Sequence, residues 1–187
     1  MYINFIDNPS EIREDFIKRF VLPWEKFRVE HEKWITEMVQ SGNPIDKKWY
    51  DQSYMWDRRN SEFRCVSMRA ALDFLCKHSG NLYFMSEADE ETYIGETRYV
   101  NFIGCAEANE LAKRIEFEWY NGYELAQKNM YDANAYLPED LYVFNSSMEW
   151  CVVFTHETTD WESELVNPMK AAESRVCFIA SPEGYEL

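Results

Sequence analysis

The sequence predicts an α+β fold: a mainly antiparallel sheet of four or five strands with helices, mostly N-terminal, packed on it. Three observations predict it. Leu141-Tyr142-Val143-Phe144 and Trp150 to Thr155 are β-rich runs joined by the turn residues Asn145-Ser146-Ser147, the pattern of a hairpin. In the second run Trp150, Val152 and Phe154 alternate with Cys151, Val153 and Thr155. Both faces are therefore apolar, which places this strand in the centre of a sheet covered on both sides. Apolar residues at three- and four-residue spacing then mark amphipathic helices in the N-terminal region.

The 187 residues are 46% hydrophobic and 17% aromatic, enough material for a buried core, and are expected to form one α+β domain over 1–187. Residues 1–59 form a helical, charge-balanced subregion with 11 acidic and 10 basic side chains. Residues 60–187, with 23 acidic and 9 basic, form an acidic subregion that contains the sheet.

Taken in order, Ser10 serves as an N-cap for a first helix whose apolar face is Ile12, Phe16, Ile17 and Phe20. Pro23 either kinks that helix or starts a new one. Trp24, Phe27, His31, Trp34, Ile35 and Met38 give the second helix its stripe, and Ser41-Gly42-Asn43-Pro44 stops it. The segment from Lys47 to Arg59 is dense in aromatics with charged ends and reads as a core helix. Asn60-Ser61-Glu62 opens a further helix through Arg64, Met68, Ala71, Leu72 and Leu75, ended by Ser79-Gly80-Asn81. Leu82 to Met85 and Arg98 to Ile103 are strands, and Cys105 to about Met130 is a helix. After the hairpin, 167–174 forms a helical turn and Arg175 to Ala180 a last strand.

The net charge of −15 is concentrated in two windows without Lys or Arg, His78 to Thr97 and Asn129 to Met169. Such a field opposes nucleic acid, whose binding depends on cations that neutralise phosphate, and speeds encounter with a basic protein. The aromatic-basic stretch 47–59 has the composition of a single-strand stacking surface, but the acidic remainder favours the core-helix reading. No stretch is long and apolar enough to span a membrane, and no signal peptide is evident. Five scattered cysteines fit reduced, buried thiols, so the expected compartment is the cytoplasm.

Motifs for catalysis are sparse. Neither CxxC, HxH, HExxH nor a glycine-rich phosphate loop occurs, so no metal or cofactor is expected. Cys76 and His78 are two apart on a helix and do not face each other, which leaves Cys76 as a buried inert thiol. His31 lies on an apolar helix face and reads as a packed histidine. His156 and Glu157, at the end of the hairpin's second strand, are the one polar pair with the chemistry of a general base. Their side chains alternate faces, however, and a structural role that fixes the strand end is the simpler reading.

Asp140-Leu141-Tyr142-Val143-Phe144, the turn, and Trp150-x-Val152-Val153-Phe154-Thr155-His156-Glu157 resemble the C-terminal hairpin of small bacterial immunity-type proteins of toxin–immunity systems. Including Leu137-Pro138-Glu139, the likeness covers about 20 residues and brings no catalytic residue with it. It implies a non-catalytic inhibitor. The charge points the same way: an acidic cytoplasmic binding protein, monomer or homodimer, that neutralises a basic toxin such as a nuclease, or a nucleic-acid-binding protein. Glu87, Asp89, Glu90, Glu91, Asp160, Glu162 and Glu164 are the expected partner-steering charges. The alternatives are a small hydrolase or transferase built on His156 and Glu157, and a structural domain with incidental charge.

Overall fold

The structure, a computed structural model, describes residues 3–7, 9–42, 54–87, 91–94, 97–100, 103–120, 137–138, 140–159 and 173–182. The elements run β1 (Asn4–Phe5), α1 (Pro9–Phe20), α2 (Trp24–Gln40), β2 (Phe63–Ser67), α3 (Met68–Cys76), β3 (Asn81–Ser86), β4 (Glu91–Ile94), β5 (Thr97–Val100), β6 (Ile103–Glu107), α4 (Ala108–Tyr120), β7 (Leu141–Phe144), β8 (Cys151–Thr158) and β9 (Arg175–Ala180). The class is α+β. Seven strands, all antiparallel, form one sheet in the order β1-β6-β3-β7-β8-β9-β2, while β4 and β5 pair apart from it. The sheet is wider than the expected four or five strands because 63–67 and 105–107 are strand rather than helix and the short β1 joins it at one edge. The helices are also not mainly N-terminal, since α3 and α4 follow the first sheet strands.

The hairpin sits where its pattern placed it. β7 and β8 lie between β3 and β9, and residues 141–144 and 151–155 are buried throughout. Trp150, Val152 and Phe154 join the core beneath α3 and α4, together with Leu82, Phe84, Leu141, Val143, Cys177 and Ile179. Cys151 and Val153 join the opposite core with Met85, Tyr142, Phe144 and Phe178, covered by Phe16 and Phe20 of α1 and by Met55 and Trp56. The result is a sheet sandwiched between two apolar layers, each side chain assigned to its layer by the period-two alternation. Gly104 of β6 lies under the Phe84 ring of β3, where an added Cβ would come within 2.8 Å of Phe84 Cε1. Its lack of a side chain lets the ring close over the sheet.

Several boundaries differ from the sequence expectation, each for a local reason. Pro9 occupies the first turn of α1, so Ser10 lies inside the helix rather than capping it. Pro23 separates α1 from α2. The helix expected from Asn60 begins only at Met68. Phe63 to Ser67 pair with β9 as an edge strand, and Ser67 caps α3 by accepting from Ala70 N–H at 3.2 Å. Tyr54 to Arg58 form turns instead of the end of a core helix, closed by Asp57 N–H to Tyr54 O (3.2 Å) and Arg58 N–H to Met55 O (3.1 Å). Asp57 Oδ2 also accepts Tyr54 N–H at 3.0 Å, an aspartate-stabilised turn. Cys105 lies in β6, and α4 starts at Ala108. Most of the turn expected over 167–174 and the end of the helix expected to reach Met130 lie outside the described residues.

Helix α2 carries its predicted stripe, but only Ile35 is buried; Trp24 and Trp34 are exposed. His31 stacks between Phe27 (5.0 Å) and Trp34 (5.5 Å), the packed histidine anticipated. The cysteines depart from expectation: Cys151 and Cys177 are buried, Cys105 is half-buried, and Cys65 and Cys76 are exposed. Cys65 sits on the edge strand, and Cys76 is the last residue of α3 and exposed. Among the described residues no helix is long and apolar enough to cross a membrane.

Candidate functional site

Three strand ends meet at one edge of the sheet. Ser86 at the end of β3 pairs with Leu141 at the start of β7, and Leu141 pairs with Phe154 of β8. This brings Glu87, Asp140 and the His156-Glu157 pair side by side, although the first lies far from the others in sequence. The turn at 54–58 folds over them. It is held by Val21 pairing with Arg59, by Asn60 N–H donating to Phe20 O (3.0 Å) and by Arg59 Nη1 donating to Trp56 O (2.9 Å).

Beneath the turn runs a buried polar chain. The hydroxyl of Tyr142 accepts Trp56 N–H at 3.0 Å and donates to Glu87 Oε2 in a short hydrogen bond. Both Glu87 oxygens accept Met55 N–H at 3.0 Å. Burial and the neighbouring Glu87 carboxylate push the Tyr142 phenol well above its ordinary pKa, so it stays protonated and serves Glu87 as a donor. Glu87 was expected among the solvent-facing steering charges; it is only 8% exposed and bonded inward. A charge committed to a phenol and a main-chain amide is a structural clamp first.

Against the same turn lies a histidine held by an aspartate. Asp140, whose side chain is 5% exposed, accepts the His156 backbone N–H at 2.9 Å and contacts Nδ1 through both oxygens at 3.0 and 2.9 Å. Strict alternation would aim His156 toward α3 and α4 with Trp150, Val152 and Phe154. A register shift between Phe154 and Thr158 interrupts the pairing of β8 with β9, and the imidazole turns instead against Tyr54 (4.9 Å) and Trp56 (5.9 Å). A bulge that re-aims one side chain is a recurring device beside functional sites. The same irregularity brings His156 Nε2 within 3.7 Å of Glu157 Oε1, so the two neighbours do meet. Next to them, Thr155 Oγ1 donates to Val176 O of β9 at 2.7 Å.

Tyr54 is the exposed member of the group, 41% accessible, with its ring stacked on Trp56 at 5.5 Å. Burial raises its phenol pKa, and the negative charges of Asp140, Glu87, Asp57 and Glu157 add to that rise. Four carboxylates from separate stretches of chain thus act on one side chain. The nearby guanidinium groups are engaged: Arg59 lies over Phe178 (4.0 Å), Arg58 over Trp24 (5.7 Å), and Arg175 over Trp119 (4.1 Å) while donating to Thr155 O (3.0 Å). Among the described residues no group of three His, Cys, Asp or Glu side chains could hold a metal ion.

Of the other steering residues, Glu91 starts β4 but its side chain is outside the described residues, as are Asp89, Glu90, Asp160, Glu162 and Glu164. Asp140, Tyr54, Trp56 and Tyr142 were not singled out as site residues by the sequence. Asp140 was within reach, since the hairpin register that sets Leu141 against Phe154 sets residue 140 beside 155–156. Tyr54 and Trp56 carried no such signal, because only the tertiary fold brings their turn over the strand ends. Of the comparisons with known proteins, none identifies a relative: no protein-family model matches the chain, and no characterised protein or solved structure is significantly similar to it.

Proposed function

We propose that this protein is a non-catalytic acidic binding protein, an immunity protein or inhibitor that neutralises a basic protein such as a toxic nuclease. The supporting observation is that carboxylates from the two cation-free windows meet among the described residues. Glu87 from the first and Asp140 and Glu157 from the second lie together around an exposed tyrosine, in a chain of net charge −15. Gathered charge of one sign steers a complementary partner and raises its association rate, and an exposed aromatic beside it is a common interface anchor. The strand-end histidine also has the aspartate contact that orients a general base, but no nucleophile stands against its Nε2 among the described residues, so binding is the reading we take.

The test is retention of a tagged copy's partner from its native cell at low and moderate salt, followed by association kinetics with that partner. A basic protein held stoichiometrically, with an association rate that falls as salt rises and a toxic activity that the complex lacks, supports the reading. An acidic partner, or a rate indifferent to salt, overturns it.

A further inference from the structure

We propose that the outer edge of β2 is a self-association surface, where a second copy of this chain pairs its own β2 antiparallel about a two-fold axis at Cys65. The inference stands apart from the basic-partner reading and does not depend on it.

The argument starts with which main-chain groups face outward. Ile6 N–H donates to Ile103 O at 3.0 Å, so Ile103 and Cys105 turn their peptide groups toward β1. Main-chain groups of successive strand residues point to opposite sides. Carried through the registers of β3, β7, β8 and β9, this alternation turns Arg64 and Val66 toward β9 and turns Phe63, Cys65 and Ser67 away from it. Phe63 N–H agrees, since it donates to Asn60 O at 3.4 Å rather than across to β9. The C=O of Ser67, as the cap of α3, belongs to the first turn of that helix. Four groups remain on the edge: Phe63 O, Cys65 N–H, Cys65 O and Ser67 N–H. Among the described residues no strand pairs with them, and Arg64 and Cys65 are exposed. No proline, lysine or bulge blunts this edge, the usual protections of an unpaired strand.

A second copy matches the four groups without remainder. In the two-fold pairing each Cys65 exchanges both of its bonds with its counterpart, and each Ser67 N–H meets Phe63 O of the other copy. Both strands also end at the same points, because Phe63 N–H and Ser67 C=O are committed within their own chain. Arg64 falls opposite Val66 of the second copy, so no like charges are set face to face. The chain's negative charge is not concentrated here either: Arg19 pairs with Glu62 and Arg69 with Glu116, both at 2.7 Å.

The experiment is sedimentation of the full chain over a range of concentrations, with reductant, at moderate salt that screens the net charge. The parent should rise from the 22.4 kDa of one chain toward twice that mass as concentration increases. Cys65→Ser should do the same, because the bonds are main-chain. Cys65→Lys, at an exposed position, sets like charges opposite each other and should weaken association by about tenfold or more. A second readout uses the thiols. Directly opposed residues of a bonded antiparallel pair lie about 5.5 Å apart between Cα atoms, within disulfide range. Diamide should therefore link the parent and Cys76→Ser into covalent dimers but not Cys65→Ser, with the reagent taking up the two hydrogens released as the S–S bond forms. A parent that keeps the single-chain mass at every concentration overturns the proposal. So does a Cys65→Lys chain that associates as the parent does, or a covalent dimer that is lost in Cys76→Ser and kept in Cys65→Ser.

Discussion

The two faces of the central sheet are built from the same alternating strands but differ in chemistry. Toward α3 and α4 the strands present Leu82, Phe84, Leu141, Val143, Val152, Phe154 and Ile179 to Met68, Leu72, Leu75, Leu111 and Ile115, an almost wholly apolar contact. A buried carboxylate on that side, Glu118, sits at the end of α4, where it accepts Leu137 N–H at 2.7 Å and pairs with Arg114. Toward α1 and the 54–58 turn, the strands present Phe144 and Val153 but also Tyr142, followed by Glu87, Asp140 and the redirected His156. Arg13 of α1 adds a buried guanidinium that donates to Ser86 O at 3.1 Å. One face holds the molecule together, and the other joins holding with presenting a surface. Buried polar groups cost free energy unless bonded, and those on this face are bonded to one another or to the backbone.

The largest loss of stability is expected on the apolar side. Phe154→Ala removes a ring buried at the centre of that layer, in edge contact with Trp119 at 5.1 Å. The expected loss is about 3–5 kcal/mol in urea unfolding, with the remaining structure unable to fill the space. A loss under about 1 kcal/mol would mean that the α3–α4 face is loosely packed and the contrast between faces is false.

On the polar side Tyr142→Phe keeps the ring in place and removes one hydroxyl. The Trp56 N–H then loses its acceptor and Glu87 its phenolic donor, at a cost of about 1–3 kcal/mol. The pH dependence identifies the cause. The folded phenol's pKa is raised above its ordinary value of 10.0, so its contribution is fully present below pH 10.0 and is lost as pH climbs through the folded value. Unfolding titrations should show stability declining above that pH in the parent, and a shallower decline in Tyr142→Phe. Identical alkaline profiles would remove the phenol–carboxylate bond from the account.

The apolar face was far more legible in the sequence than the polar one. Trp150 to Thr155 declares its two faces by alternation alone, and Ala108, Leu111, Ala112 and Ile115 declare a helix stripe; both come from the period of the backbone. The seam between 60 and 67 was misread because Phe63, Cys65 and Val66 fit a helical stripe as easily as an edge strand, and only pairing with Arg175 to Ala180 decides between them. The site was less legible still. Glu87 reads as one acid among many in a charged loop, and nothing local distinguishes it from its neighbours. Its burial depends on Tyr142 and Met55, both distant in sequence. His156 was noticed, but a period-two reading aims it at the wrong layer, since a bulge leaves no mark in composition.

Asp140→Asn sharpens the polar side further. The amide is nearly isosteric and still offers an oxygen to His156 N–H, so the fold should lose only about 1 kcal/mol. What changes is the imidazole: without a carboxylate on Nδ1 its proton is no longer assigned to that nitrogen, and ring nitrogen signals should show a mixture of tautomers. Unchanged signals would show that the bulge and the Tyr54–Trp56 rings orient His156 unaided.

Glu157→Gln is the smallest perturbation to stability and separates the roles of the two faces. Its side chain is half exposed and among the described residues its ion-pair contact is the 3.7 Å approach to His156 Nε2, so the unfolding free energy should stay within about 0.5 kcal/mol of the parent. If the charge at the strand ends serves association, the same substitution slows capture of a basic partner, most at low salt where screening is weakest. A residue that leaves the fold alone and alters the rate of encounter belongs to the surface; one that does the reverse, as expected of Phe154, belongs to the frame. A Glu157→Gln protein with reduced stability and an unaltered encounter rate would place Glu157 with the frame, and the division between a holding face and a presenting face would fail at its most exposed residue.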